Sequence, residues 1–256
     1  MNNADIGLAG VAASSILIVV AVALSLWRRL GLERSLVWAA LRALVQLVLV
    51  GFALHLVVDD DDSLIWSWIW VAAMVGFAAY TTGRRAGEVP SVVPLALLSF
   101  LVAAAVSLGV LFGFGVYEPS GRTIVPLAGM VIGNSLAATV LVSRRIFAAA
   151  VESRGLIEGR LALGLTATEA FQPHLRAALR DALVPQIETT KAVGIVFLPG
   201  AMVGLILAGT DPGDAVLVQV SVMYLVLGSV ATTTAVMSLG LSRQLFTPAQ
   251  QLRRFD

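Results

Sequence analysis

Cysteine is absent from this 256-residue chain, which excludes structural disulfides and any thiolate metal site. Histidine occurs only at His55 and His174, so a zinc centre built on imidazoles has little to draw on. Charge of either sign is scarce, at 13% of residues against roughly 25% in a typical soluble domain. A soluble fold of this length needs more polar residues to cover its surface, whereas in lipid the apolar surface is the one that dissolves. The formal net charge of +1 sets up no bulk field toward nucleic acid or an acidic partner, and no nucleic-acid role is expected. G-x-S-x-G, H-E-x-x-H and G-x-x-x-x-G-K-[ST] are all missing, so no catalytic set is visible. Without a phosphate loop, any ATP-driven activity must take its hydrolysis from another chain. The first segment also has no cationic n-region and no cleavage motif, so it reads as a retained helix.

Apolar residues make up 58% of the chain. They gather in seven stretches: Ile6–Trp27, Leu36–Val58, Leu64–Thr82, Val89–Val116, Ile124–Ile146, Ala192–Ala208 and Ala215–Leu239. Each is near the ~20 residues that cross ~30 Å of hydrocarbon. The expected fold is all-α: a polytopic transmembrane bundle of about seven spans in a single domain, residues 1–256. Connections are short except Ser143 to Lys191, a polar, charged stretch that is the expected functional loop (about 147–190).

The cations set an expected orientation, with the N-terminus outside and the C-terminus cytoplasmic. Arg28, Arg29, Arg34, Arg84, Arg85, Arg144, Arg145, Arg154, Arg160, Arg176, Arg180, Arg243, Arg253 and Arg254 then fall inside. Arg42 and Lys191 lie at cytoplasmic helix ends and can snorkel. Only Arg122 falls outside, among Asp5, Asp59 to Asp62, Glu118, Asp211 and Asp214.

Two spans carry small residues one turn apart: Gly129, Gly133 and Ala137, then Gly200, Gly204 and Ala208. Such spacing lets backbones approach closely, and intramolecular packing is the simpler expectation than a dimer seam. In the loop, Thr166-x-x-Glu169 has capping-box spacing, which predicts a helix beginning near Ala167. Leu175, Ala178, Leu179 and Ala182 form an apolar stripe, with Arg176, Arg180 and Asp181 opposite. That stripe fits a groove on a soluble partner or the lipid interface equally well.

Upstream of that helix, Glu158-Gly159-Arg160-x-x-x-Gly164 resembles the EAA-x-x-x-G loop through which ABC-transporter permeases engage their ATPase subunits. The interval from Gly164 to Pro185 is longer than in typical importer permeases. A fuller resemblance, to the FetB-type permeases described as iron exporters, runs through most of the chain. It is carried by Gly129-Met130-Val131-Ile132-Gly133-Asn134-Ser135, by Thr189 to Met202 and by Leu207-Ala208-Gly209-Thr210-Asp211-Pro212. Gln219-Val220-Ser221-Val222-Met223-Tyr224 and the tail from Arg243 to Leu252 continue it. Related plant half-transporters are linked to aluminium tolerance and nucleotide-sugar movement. The resemblance implies a bacterial plasma-membrane permease that pairs, as two copies, with a FetA-like ATP-binding cassette subunit. ATP and Mg would then be bound by that partner and no cofactor by this chain. It further implies that Glu158, Arg160, Gly164 and Phe171 couple the permease to the ATPase.

Polar groups inside spans are costly and are therefore pathway candidates. These are Arg42 and Gln46, four apart on one face; Asn134 and Ser135; Glu188 and Lys191; Pro199 and Gly200; and Met202, Gln219 and Met223. For Asn134-Ser135 an interhelical hydrogen bond is the simpler reading, and for Glu188 and Lys191 a mutual ion pair. The Thr232-Thr233-Thr234 hydroxyls can bond back to their own helix. Methionine on an apolar face is usually packing. Pro199-Gly200 is an expected kink. The metal ligands of an iron path stay open, because His55 and His174 fall at opposite ends. Competing readings are a permease for an organic anion or nucleotide sugar, with Arg42 and Lys191 as counter-charges, and a channel or scaffold working without an ATPase.

Overall fold

A computed structural model describes residues 8–57, 64–87 and 89–254. Asp5, Ile6, Val58 and the run Asp59 to Asp62 lie outside the described residues, as does the His55 side chain. The described residues form helices α1 (Leu8–Trp27), α2 (Glu33–Val57), α3 (Leu64–Arg85), α4 (Val92–Gly113), α5 (Gly121–Glu152), α6 (Arg154–Ala162), α7 (Ala167–Ala192), α8 (Gly200–Leu207) and α9 (Pro212–Gln244). Six of them, α1 to α5 and α9, are long and apolar enough to cross a membrane. The chain divides into two units, Met1–Asp62 and Ser63–Asp256.

The first unit is a helical hairpin. Its turn places Arg29 and Gly31 at φ of 52° and 68°, and the side chain of Ser25 holds it closed. The Ser25 hydroxyl donates to Glu33 (2.8 Å) and accepts from the Leu32 amide (3.2 Å). This is why Ser25 is the buried polar residue of an otherwise exposed pair of helices. Arg28 lies over the Trp27 ring, 4.8 Å from its centroid.

In the second unit α3, α4, α5 and α9 build one core around Phe100, Ala128, Val131, Val142, Val230 and Met237. Contacts between named residues set the helix directions. Met74 meets Gly129 and Arg144 meets Arg85, so α3 and α5 run parallel. Leu95 lies against Gly240 and Ser99 against Met237, so α4 and α9 run antiparallel. Tyr117 bonds Ser221 (2.7 Å), Ser135 reaches Ser229 (3.5 Å), and Arg154 bonds the carbonyls of Leu252 and Arg253; α5 and α9 are therefore parallel as well. Glycine makes the closest approaches possible. A Cβ at Gly83 would stand 2.4 Å from Val93, and one at Gly240 2.5 Å from Leu95.

Two parallel helices joined in sequence require the chain to return between them. The return begins in α7. Its first residue bonds Gln250 near the basic end of the bundle (3.0 Å). Asp181, fourteen residues on, has climbed to Arg145 (3.2 Å). Beyond Ala192 the helix stops. Residues 193–199 are irregular, with Gly194 at φ 84° donating to Phe197 O (2.9 Å). The eight residues of α8 add only about 12 Å. The expected span Ala192–Ala208 is thus not one helix but the last residue of α7, an unwound stretch and a half-length helix. Pro199 explains the break, because it caps α8 with an extended backbone and cannot donate into a preceding helix.

At 32 and 33 residues, α5 and α9 are each about 48 Å long. That exceeds ~30 Å of hydrocarbon, and the excess overhangs at the basic end. There α7 lays its stripe on them: Ala178 and Ala182 are buried, with Leu175 and Leu179 half-buried against the core. The stripe is therefore covered by the chain's own helices and is open neither to a partner groove nor to lipid.

Candidate functional site

Two features concentrate the residues singled out above: the elbow formed by α6 and the start of α7, and an uncovered face of α5.

The elbow starts where α5 ends at Ser153 and the chain re-enters a short helix. Arg154 anchors it, donating to the tail carbonyls of Leu252 and Arg253 while pairing with Glu158 (2.8 Å, i to i+4). Arg160 crosses to α7 and donates to Ala170 O (3.0 Å). Gly164 turns the chain at φ 91°, a left-handed conformation that favours a residue without Cβ. Its amide donates to Leu161 O (3.0 Å), closing α6. The next helix begins at Ala167, as the spacing Thr166-x-x-Glu169 predicts. The Thr166 hydroxyl accepts from the Glu169 amide, and Glu169 accepts from the Thr166 amide (2.9 Å) and hydroxyl (2.8 Å). Those two donated bonds, the backbone one first, hold the Glu169 carboxyl below its usual range.

Phe171 lies beneath this surface. It is 1% exposed, edge-on to Phe246 of the tail at 6.1 Å and beside His174 at 5.7 Å. Burial pushes the His174 pKa below its ordinary 6.5, and the charge of Arg160 adds to the shift; its Nε2 has no hydrogen-bond partner. Phe171 can therefore act on a partner only through the packing of the elbow. The most exposed large apolar side chains of the elbow are instead Leu156 and Leu163, the latter 81% exposed. Between elbow and tail a cavity of about 940 Å³ is lined by Glu158, Gly164, Gln250 and Arg253, among others. The tail (245–254) folds back on itself through Thr247 N to Gln251 O and Arg253 N to Leu245 O. Sequence reading gave neither the exposed leucines nor the tail a role in the site. The exposed leucines were marked by their position around Gly164, and the tail by Pro248 followed by Arg253-Arg254.

On α5 the buried hydroxyls satisfy themselves. Ser135 donates to Val131 O and Thr139 to Ser135 O, and on α9 Thr232, Thr233 and Thr234 do the same, as expected for such residues in helices. Asn134 does not bridge to another helix. Its Nδ2 donates to Met130 O on the same helix (2.8 Å), and the residue is exposed. Gly133 and Ala137 are exposed beside it, so within the second unit the small-residue stripe packs against nothing there. A Cβ on Gly133 would meet no atom within 4 Å. The other stripe, Gly200, Gly204 and Ala208, is also exposed, next to Ile195 at 91%.

The remaining predicted positions separate. Glu188 and Lys191 form the anticipated ion pair (2.9 Å) on the exposed side of α7. Pro199, Gly200 and Met202 belong to the break and to α8. Met223 is half-buried and Gln219 is 5% exposed, with its Oε1 unpartnered. Arg42 and Gln46 are exposed residues of the hairpin unit. Among the described residues no three His, Asp or Glu side chains converge to hold a metal ion.

The profile of the uncharacterised protein family UPF0014 matches residues 8–246. The chain belongs to that family. It is 36% identical to the UPF0014 membrane protein STAR2 of Oryza sativa over 96% of this chain and 86% of that protein. Protein ALUMINUM SENSITIVE 3 of Arabidopsis thaliana is 33% identical, over 96% of this chain and 90% of its own length. The Escherichia coli protein named "Probable iron export permease protein FetB" is 30% identical over 98% and 97%. No solved structure matches the chain. Like the family as named in those relatives, the chain is a multi-pass membrane protein, with six long apolar helices.

Proposed function

We propose that this UPF0014 protein is the transmembrane permease subunit of an ABC-type exporter in a bacterial plasma membrane, moving iron outward and so contributing to metal homeostasis. The observation that carries the reading is the elbow. Glu158, Gly164 and the exposed Leu163 stand at the overhanging end of the two longest helices, braced from below by Phe171 and from the side by the tail. A projection at a basic bundle end suits the groove of a soluble subunit, and the Lys/Arg bias supports a cytoplasmic position for that end. A FetA-like ATPase would supply ATP binding, Mg and hydrolysis, and this chain would itself be no enzyme. Its closure pulls on the elbow, and the discontinuous α7–α8 return absorbs the motion, since broken helices are where transport pathways form.

The open face of α5 supports two permease copies. Asn134, with Gly133 and Ala137 on either side of it, is an uncovered amide on a spanning helix, which is costly against lipid. A second copy, or a water-filled path between two copies, gives it a polar or close-packed neighbour. Iron is the cargo in this scheme and not a resident cofactor.

The test is reconstitution of the permease with its ATPase in liposomes, with ferrous iron on the ATPase side. Iron-stimulated hydrolysis and iron appearing across the membrane are expected, and Glu158→Ala with Gly164→Val should abolish both. A tight complex indifferent to iron would keep the permease and discard the cargo. An organic anion or nucleotide sugar would then be tried, with Arg42→Gln as the discriminating variant. Absence of any complex would sink the reading in favour of a channel or scaffold.

A further inference from the structure

A second concentration of charge stands apart from the elbow. At the last turn of α3, Arg84 and Arg85 are exposed, and neither forms an ion pair or hydrogen bond through its side chain with a described residue. On the neighbouring helix Arg144 does not extend into solvent. Its Nε donates to the Arg85 carbonyl (2.8 Å), and a terminal guanidinium nitrogen donates to the same oxygen. This satisfies a carbonyl that the end of α3 leaves without a helical partner, and it fixes a third cation beside the first two. The three arginines line a cavity of about 610 Å³ whose other walls are apolar, Val89 and Phe147 among them, with Glu152 its one described carboxylate.

Single arginines at a helix end need no ligand, because they snorkel to the interface. Here three converge on one concavity, drawn together across two helices by a main-chain bond, with Glu152 the one described carboxylate beside them. Guanidinium groups bind phosphate oxygens with paired, charge-assisted hydrogen bonds. The apolar walls and the position at the end of two membrane-spanning helices match a phosphate that carries acyl chains. We propose that this cavity binds the headgroup of an anionic phospholipid, Arg84 and Arg85 holding the phosphodiester and Val89 and Phe147 facing its glycerol and first methylenes. The lipid ties the ends of α3 and α5 together just above the point where α5 hands over to the elbow. The inference needs only that these helices cross the bilayer, and is independent of cargo and ATPase.

The test uses full-length permease in nanodiscs of phosphatidylcholine with a minor fraction of phosphatidylglycerol or cardiolipin, ejected for native mass spectrometry. Preferential retention of the anionic lipid is expected. Arg84→Gln with Arg85→Gln should cut that retention about thirtyfold, equivalent to about 1 kcal/mol per arginine, while the paired lysine variant keeps most of it. Inorganic phosphate at tens of millimolar should not displace the lipid. Equal retention by wild type and the glutamine variant overturns the proposal. Displacement by phosphate also overturns it, making the cavity a free oxyanion site. So does loss of the ATPase complex with lipid retention intact, which would make the patch a protein contact. Should the glutamine variant fail to fold, wild-type protein decides, since no preference for anionic over zwitterionic lipid rejects the site.

Discussion

One helix, α5, presents two faces that answer the same physical problem in opposite ways. Its inner face carries Ser135, Thr139 and Ser143, all fully buried, and each hydroxyl returns to a carbonyl four residues back. Nothing on that face needs another molecule. Its outer face carries Gly133, Asn134 and Ala137, exposed and touching nothing across the bundle. Within the second unit the inner face is complete and the outer one is not. A polar buried side chain on a membrane helix is therefore no pointer to a pathway, whereas a small, polar, uncovered stripe is.

The largest effect expected from breaking this contrast lies under the elbow, where the chain is most completely packed. Phe171→Ala should cost about 3–5 kcal/mol through cavity formation, read as faster proteolysis of the α6–α7 connection in detergent. Next comes a pair of glycines. Gly240→Leu forces side-chain atoms into Leu95 and should cost about 1–3 kcal/mol, lowering the thermal midpoint. Gly133→Leu should leave that midpoint unchanged and instead lose cross-linked dimer. If both variants destabilise the monomer equally, the outer face is not open.

The acid response should be smaller. The His174 pKa is depressed by burial and by Arg160, so the unfolded chain takes up a proton that the folded elbow resists. Its contribution to stability is full above the ordinary 6.5 and is lost as pH falls below that value toward the folded one. Glu169 acts in the same direction lower down. Its contribution is present above 4.5 and lost as pH falls through the depressed folded value. Hydrogen exchange along α7, corrected for intrinsic rates, should therefore accelerate as pH falls below the ordinary 6.5 of His174, and His174→Phe should flatten the change. The smallest effect belongs to Ser135→Ala, about 0.6 kcal/mol or less, since its hydroxyl donates to its own helix and its one contact across to α9, Ser229, is long at 3.5 Å.

The legibility of these features follows how local they are. Thr166, Glu169 and Ala167 announced a helix start because a capping box is decided by four consecutive residues. The Glu188–Lys191 pair was legible for the same reason, lying within one turn. The interhelical bond expected of Asn134-Ser135 is made by Ser135, which reaches Ser229, and not by Asn134. The α7 stripe, read as open to a partner groove or to lipid, is covered by α5 and α9. In both cases the residue pattern states that a face is polar or apolar, and only its neighbours decide what covers it. Phe171 was singled out, but nothing in its local sequence says that Phe246, 75 positions later, closes over it.

Sequence alone determined that the chain lives in a membrane, and six of its seven apolar stretches lie in long helices, Ala192–Ala208 being the exception. Hydropathy, length and charge are sums over neighbouring residues and need no partner. Tertiary structure alone decided that α5 and α9 run parallel, that their connection is a broken return, and that Arg144 joins Arg84 and Arg85 around one cavity. Lipid tails are as apolar as leucine, so hydrophobicity cannot tell a face that meets lipid from one that meets protein. Only the packing of residues distant in sequence makes that distinction.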